Sequence, residues 1–403
     1  MIRRREFAAA AGGLCTMLAL HPRAGFGQSG GQAGSGPYKL AVLASLTGPL
    51  SALGVPSKAA IELEVKRLND AGGIAGRPIE LVFGDDQSDP SKGVIAFKRL
   101  LDEKPVAMIG PNFSSTALGL IPLVEQARLP MLSMAAEDAQ VQPGRKYVFM
   151  ISLTSRLNAA AILSYLRSSS LRDVALLQDS GAYGRGGARL LTELAPQYNV
   201  RIIQTETFNL ADTDMTPQLT KVRNNREVQA VIVWAAGAAP ATVARQYRSL
   251  DLKPPLMLTG AQADPGFAKS AGAAAEGAPF PTARAVLHAF LPPGNGSRRL
   301  LDAFVPAYRQ ATGVDANVFA AVAHDAVLLI AQALRAAPGG DPDALVTALE
   351  SASFTGGNGE YRFAADAHSG MLPSSVAMAM WKDGRIVPAK PNCAGCFETV
   401  AGN

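Results

Sequence analysis

The sequence predicts an α/β protein with two lobes, each built around a parallel β-sheet, and three observations support this prediction. Short apolar runs alternate with helical patterns from Lys39 onward. The same alternation starts again after Arg156, in a second series of similar size. With 403 residues, of which 48% are hydrophobic, the chain is long enough for two sizeable cores. Because strand–helix repetition favours parallel sheets covered by helices on both faces, we expect two similarly built lobes.

The first residues have the layout of a bacterial export signal. A basic start, MIRRREF, is followed by the apolar run Ala8–Leu20, which is too short to span a bilayer permanently. Arg4 and Arg5 resemble the twin-arginine signature, and the alternative is an ordinary secretory signal with an extra arginine. Cys15 follows a leucine, so a lipoprotein anchor is not expected. We predict an export signal and linker over 1–37 and a periplasmic location.

Net charge and hydropathy argue against nucleic-acid binding and stable membrane insertion. The chain carries a net charge of +5, of which residues 1–27 contribute +3. The small remaining charge gives no support for nucleic-acid binding. The most apolar later segment, 318–337, contains His324, Asp325 and Arg335, so we expect it to be part of a core.

The first series consists of four apolar strands with helical patterns between them, and Pro122 is a predicted kink in the third helix. Its predicted strands are KLAVLA (39–44), IELVF (79–83), VAMI (106–109) and MLSM (131–134). The second series has the predicted strands VALLQ (174–178), RIIQTETF (201–208), AVIVW (230–234) and LMLTG (256–260).

A late block differs from both series, because its helical patterns follow one another without strands between them. These patterns cover 297–312, 316–336 and 342–352, and the strands EYRF (360–363) and SVAMAMW (375–381) come after them. The block must pack on a lobe that is already formed, which requires the chain to cross between lobes.

The loops that follow the strands are the candidate site, because ligands of parallel α/β sheets bind beyond the carboxyl ends of the strands. Ser114, Ser115 and Thr116 stand after a strand and at the start of a helix. Free amides at a helix start, together with hydroxyls, favour an anion such as a carboxylate. The alternative is that these residues only cap the helix.

No motif in the sequence indicates catalysis, a metal or a cofactor. The serines lack the Gly-x-Ser-x-Gly frame, and no histidine or acid follows them at a recognisable distance. GAYGRGGA lacks the dinucleotide spacing, and the carboxylates of GDDQSDP are expected to cap the next helix. Cys393 and Cys396 near the C-terminus suit a redox pair, half a zinc site or a small disulfide, and the last is favoured.

Several segments in the same order resemble the periplasmic ligand-binding proteins of ABC transporters, of the leucine/isoleucine/valine-binding type. They are LTGPLSALG, LNDAGGIAGRPIELVFGDDQSDPSKGV, AYGRGGA, ATGVDANVFAAVAHDAVLLIAQAL and GGNGEYRF. The resemblance implies two Rossmann-like lobes joined by a three-crossing hinge, the type I periplasmic binding protein fold. It places 38–154 and 284–368 in the first lobe, 155–283 and 369–391 in the second, and 392–403 in a tail.

The resemblance also implies a ligand site in the cleft between the lobes. Ser114 matches the serine that contacts the ligand carboxylate, with Ser115 beside it. Further positions that match this site are Ala135 and Ala136 in the next loop, Tyr183 in the second lobe, and Leu53 where relatives often have an aromatic residue.

Three positions depart from the family pattern and leave the ligand open between an amino acid, an amide and an aromatic acid. Glu137 replaces a hydroxyl residue, and Ala236 stands near the place of a tyrosine, with Trp234 close by. Ala261 and Gln262 fall where an acid is usual. Either Glu137 binds the ligand's ammonium or the ligand is not an amino acid.

The resemblance implies a monomeric, non-enzymatic solute-binding protein that delivers a small ligand to an ABC transporter permease. The alternatives are a ligand-sensing subunit for a receptor or regulator, and an exported serine hydrolase that uses Ser114 or Ser180. The export signal favours the first, and the absence of a base beside either serine disfavours the last.

Overall fold

The computed structural model of the protein describes residues 36–141 and 144–389. The predicted export signal and the tail with Cys393 and Cys396 lie outside these residues. The strands are β1 (Tyr38–Ala44), β2 (Ile79–Asp85), β3 (Ala107–Ile109), β4 (Met131–Ser133), β5 (Val148–Met150), β6 (Asp173–Asp179), β7 (Arg201–Phe208), β8 (Ala230–Trp234), β9 (Leu256–Met257), β10 (Pro279–Ala283), β11 (Ser353–Thr355), β12 (Glu360–Arg362), β13 (Val376–Lys382) and β14 (Arg385–Pro388). The α-helices are α1 (Ser51–Asp70), α2 (Pro90–Asp102), α3 (Ser114–Ala127), α4 (Ser155–Ser168), α5 (Ala182–Leu194), α6 (Thr216–Asn224), α7 (Ala239–Ser249), α8 (Pro265–Ala271), α9 (Gly296–Thr312), α10 (Val318–Ala336) and α11 (Pro342–Glu350).

The first lobe is built on a five-stranded parallel sheet in the order β2-β1-β3-β4-β5. One continuous hydrophobic core joins this sheet to α1 and to the late helices α9, α10 and α11. The late helices therefore complete a lobe whose parallel strands lie some 150 to 300 residues earlier in the chain.

The second lobe combines the parallel sheet β7-β6-β8-β9 with the antiparallel strands β10-β13-β14. The Leu258 amide donates to the Pro279 carbonyl at 2.9 Å and links the two groups of strands. Hydrophobic cores cover both faces of the parallel sheet. The parallel central sheets confirm the predicted fold class.

The chain passes between the lobes after β5, after β10 and between β12 and β13. The observed strands fall inside the predicted limits of 38–154 with 284–368 and of 155–283 with 369–391. The limits themselves stay a prediction.

Two local features shape the loops that follow β2 and β3. Gly110 has a φ of +103°, and a Cβ there would lie 1.9 Å from the Leu43 carbonyl oxygen, so this turn requires glycine. At the end of the loop after β2, Asp89 caps α2 by accepting from the Ser91 amide at 2.7 Å and the Lys92 amide at 3.1 Å. The capping predicted for the GDDQSDP segment is confirmed for Asp89.

Helix α10 is long and apolar enough to cross a membrane, with a mean hydropathy of 1.5 over its best window. Most of that window is buried inside the protein. His324 and Asp325 lie within it, both buried, and the Asp325 carboxylate accepts from the Gly357 and Asn358 amides at 2.8 Å. The helix therefore forms part of the first lobe's core, as expected from its charged residues.

Candidate ligand-binding cleft

A cleft of about 740 Å³, part of it open to solvent, lies where the carboxyl ends of the two parallel sheets meet. Residues from the loops after β3 to β9 line it, as do the starts of α1 and α10. The lining residues are Leu50, Leu53, Asn112, Phe113, Ser114, Met134, Ala136, Ser152, Leu153, Asn158, Asp179, Tyr183, Leu210, Ala236, Gly260, Ala261, Val318, Phe319 and Val322.

The mouth of the cleft is apolar and is formed by both lobes. Leu50, Leu53 and Phe113 of the first lobe form one buried cluster. Leu210 and Ala236 of the second lobe pack against this cluster. Burial of apolar surface against these walls favours a ligand with a compact apolar body.

The start of α3 is open toward the cleft. The residue before the helix, Phe113, provides no side-chain cap. Within the described residues, the amides of Ser114, Ser115 and Thr116 donate to no protein acceptor. Ser114 is only 3% exposed and lines the cleft, and its hydroxyl has no hydrogen bond to another described residue. Free amides beside a free hydroxyl make this helix start suited to an anionic oxygen.

The other two hydroxyls of the predicted cup are occupied. The Thr116 hydroxyl donates to Asp86 Oδ2 at 2.9 Å, inside the first lobe. The Ser115 hydroxyl accepts from the Ala182 amide of the second lobe at 3.1 Å, and Ser115 does not line the cleft. Of the three hydroxyls, the structure turns only that of Ser114 toward the cavity.

Asp179 is a cleft residue that the sequence analysis did not select. It ends β6, is 2% exposed, and accepts from the Gly181 amide at 2.7 Å. Burial raises the pKa of this carboxyl to about 6, against the lowering effect of the backbone hydrogen bonds. The nearby Arg185 is exposed and donates to the Ser180 carbonyl instead, and no ion pair joins it to Asp179 among the described residues. An acid that ends a buried strand was the signal available in the sequence.

Asn112 offers a second polar atom that the sequence analysis missed. Its Nδ2 donates to the Ser57 hydroxyl at 3.0 Å, while its buried Oδ1 has no protein partner among the described residues. A buried acceptor without a donor is costly unless a ligand or water supplies one. Asn112 precedes Ser114 in the same loop, so the two polar groups serve the same end of the cleft.

Leu53, Ala136 and Tyr183 line the cleft at the places that the sequence analysis named. The Tyr183 ring packs on Trp234, with 5.7 Å between the ring centroids. Burial raises the pKa of Tyr183 well above its usual range, so the phenol stays neutral.

Four other candidate residues point away from the cleft because protein partners hold them. Ala135 is buried, and its carbonyl accepts from the Ser152 hydroxyl at 2.8 Å. Glu137 is paired with Arg189 at 2.8 Å. Trp234 is fully buried behind Tyr183, and the Gln262 amide donates to the Ala235 carbonyl at 3.0 Å.

Among residues 36–141 and 144–389, no group of three or more His, Cys, Asp or Glu side chains is arranged to hold a metal ion. The described histidines do not line the cleft either. The chemistry of the cleft therefore consists of hydrogen bonding, one carboxyl group and apolar contact.

Two α/β lobes whose strand ends face each other across a ligand-sized cleft define a class of hinged binding proteins. The sequence profile of the family described as "Periplasmic binding protein" matches residues 37–385. The chain belongs to this family. Its members bind small molecules and work with ABC transporters, and delivery to the permease is their general role. They are a solute-binding class rather than enzymes.

Individual relatives are distant in sequence and close in structure. The leucine-, isoleucine-, valine-, threonine-, and alanine-binding protein of Pseudomonas aeruginosa is 24% identical over 327 residues, 81% of this chain and 85% of the relative. The Leu/Ile/Val-binding protein homolog 3 of Brucella melitensis is 26% identical over 187 residues, 46% of this chain, and the match spans 51% of that protein. An extracellular ligand-binding receptor from Rhodopseudomonas palustris HaA2 has a TM-score of 0.82 at 26% identity, covering 87% of this chain and 99% of the receptor.

Proposed function

We propose that this protein captures a small carboxylate-bearing ligand in the cleft and delivers it to an ABC transporter permease. One observation carries the proposal: the start of α3 is uncapped, and the free Ser114 hydroxyl beside it faces an apolar cavity. The ligand's carboxylate accepts from the Ser114 hydroxyl and the neighbouring amides. Its apolar body lies against Leu53 and Phe113.

Asp179 indicates which chemical group the proposed ligand carries in addition to its carboxylate. The buried Asp179 carboxyl group in the lining has the Gly181 amide as one donor and can accept further hydrogen bonds. An amide in the ligand supplies a donor, and an ammonium group supplies both a donor and a positive charge. The names of the relatives from Pseudomonas and Brucella refer to amino acids, which carry both a carboxylate and an ammonium group. We therefore place amino acids first among the ligands, and amides and aromatic acids after them.

Location and partners follow from the same proposal. The protein acts in the periplasm as a monomer without stable membrane insertion, after export directed by the twin-arginine-like segment. A sensory subunit would use the same cleft, and only its downstream partner would differ. A serine hydrolase is disfavoured because no described histidine lines the cleft beside Ser114.

A thermal-shift screen over amino acids, amides and aromatic carboxylates tests the ligand class. A true ligand at 100 times its dissociation constant should stabilise the protein by about 2.7 kcal/mol. Ser114→Ala should lose about half of this stabilisation or more at the same ligand concentration. Stabilisation by none of the three classes, or equal stabilisation of Ser114→Ala, would contradict the proposal.

A further inference from the structure

One face of α5 in the second lobe lies against the first lobe. Ala182, Gly186 and Arg189 are spaced by four and three residues and therefore share that face. The Ala182 amide donates to Ser115, and Arg189 Nη2 lies 2.8 Å from Glu137 Oε1. Neither Ser115 nor Glu137 lines the cleft, so these contacts join the lobes outside the ligand cavity.

Gly186 allows the first lobe to approach the helix backbone closely. A Cβ at this position would lie 1.6 Å from Glu137 Oε2, so any side chain here would clash with the carboxylate. The Glu137 carboxylate therefore rests directly on the backbone of α5. This close approach exists only while the lobes are together.

Glu137 is buried by the contact, whereas its partner is not. The Glu137 side chain is 2% exposed and that of Arg189 is 57% exposed. Glu137 Oε1 also accepts from the Ala139 amide at 3.4 Å, while Oε2 has no partner among the described residues. A buried carboxylate is strongly destabilised when its cation is removed. Loss of Arg189 should therefore cost more free energy than loss of one partner of a fully exposed ion pair.

We propose that Glu137 and Arg189 form a latch between the lobes, which sets ligand affinity from outside the cavity by stabilising the closed form. When the lobes separate, water reaches both side chains and the pair gains little. When they close, Glu137 is desolvated and requires Arg189. Since apparent affinity scales with the population of the binding-competent form, residues that never touch the ligand tune how tightly it is held.

The latch can be tested on the ligand-free protein, because it requires only that the lobes open and close. The Ala182 amide is a direct reporter, since its acceptor belongs to the other lobe and protects it from hydrogen exchange only in the closed form. Arg189→Met removes the charge and retains an unbranched, exposed side chain. We expect Ala182 to exchange about tenfold faster in this variant, equivalent to about 1.4 kcal/mol of closure free energy.

Lys221→Met is the matched control. Lys221 pairs with Glu206 at 3.0 Å, and the exposed fractions of 66% and 13% resemble those of the latch, but both residues belong to the second lobe. This variant should leave exchange at Ala182 unchanged. Adding Glu137→Gln to Arg189→Met should slow exchange again, because the buried side chain no longer carries an unpaired charge.

Three results would overturn the latch. One is an Ala182 amide that already exchanges without protection in the unmodified protein. Another is an Arg189→Met variant that exchanges no faster than Lys221→Met. The third is a double variant that opens further than Arg189→Met alone. None of these results depends on the identity of the ligand, so they are distinguishable from a failure of the proposed function.

Discussion

The hydroxyl of Ser115 in the first lobe accepts a hydrogen bond from the amide of Ala182 in the second, at 3.1 Å. This bond serves the start of α5, which has no side-chain cap of its own. One residue earlier, the Ser114 hydroxyl is free and faces the cleft. Neighbouring serines therefore serve two different helix starts, and only one of those starts remains available to a ligand.

Ser115→Ala should weaken ligand binding although the Ser115 side chain does not contact the ligand. Loss of a helix cap costs about 1 kcal/mol, which corresponds to roughly a fivefold rise in the dissociation constant. The cost falls on the closed form because the acceptor and donor belong to different lobes. Calorimetric titration checks the affinity, and an unchanged dissociation constant would show that the bond does not contribute to closure.

Asp179→Asn should change how stability depends on pH. The folded-state pKa of about 6 lies above the unfolded value, so ionisation opposes folding and stability falls as pH rises from about 4 to 6. The full cost above pH 7 is about 3 kcal/mol. The asparagine retains an oxygen for the Gly181 amide and removes this cost. We expect urea unfolding to give the variant a higher free energy of unfolding than the unmodified protein at pH 7.5, but not at pH 4.

The pH dependence of affinity should report whether Asp179 contacts the ligand. An amino acid's ammonium group prefers the ionised carboxyl, so its affinity should fall as pH drops below about 6. A deaminated analogue with the same carboxylate lacks this partner and should bind more weakly at pH 7.5 than at pH 5. Titration of both at the two pH values decides the point, and parallel pH profiles would place Asp179 outside the contact.

Gly187→Ala should destabilise the second lobe. A Cβ at this position would lie 2.1 Å from the Trp234 ring, which is fully buried. Overpacking of this kind costs about 1–3 kcal/mol. Gly119→Ala is the matched control on an exposed helix surface, with no atom within 4 Å of the new Cβ, and should stabilise by about 0.5–1 kcal/mol. Denaturant unfolding of both variants checks this, and equal effects would contradict the packing described.

The sequence predicted most of the parallel strands well because most of them are continuous apolar runs, as AVIVW of β8 shows. Helix α10, Val318–Ala336, begins two residues after its predicted start and ends where predicted. Strand β10 was missed because its sequence PFPTA contains two prolines, which are normally excluded from strand interiors. Strand β5 was also missed, although its three residues, VFM, are apolar and buried like those of the predicted strands β3 and β4.

The site was less predictable, because side-chain direction depends on partners that are distant in the chain. The position of Ser114 after a strand and before a helix was enough to select it. Nothing near Glu137 in the sequence indicates Arg189, which lies 52 residues later and draws the carboxylate away from the cleft. Trp234 is likewise held against Gly187. Asp179 was overlooked because nothing near it in the sequence shows that this strand end lines the cleft.

The binding of a ligand carboxylate by Ser114 is the central claim, and titration of Ser114→Ala against Ser155→Ala tests it most directly. Both serines are the first residue of a helix, both are buried, and neither hydroxyl has a described protein partner, but only Ser114 lines the cleft. A hydrogen bond to a charged group is worth about 1.5–3 kcal/mol, so Ser114→Ala should bind the ligand roughly 10- to 150-fold more weakly. Ser155→Ala should bind it as the unmodified protein does. Equal affinities of the two variants for the ligand would contradict the account.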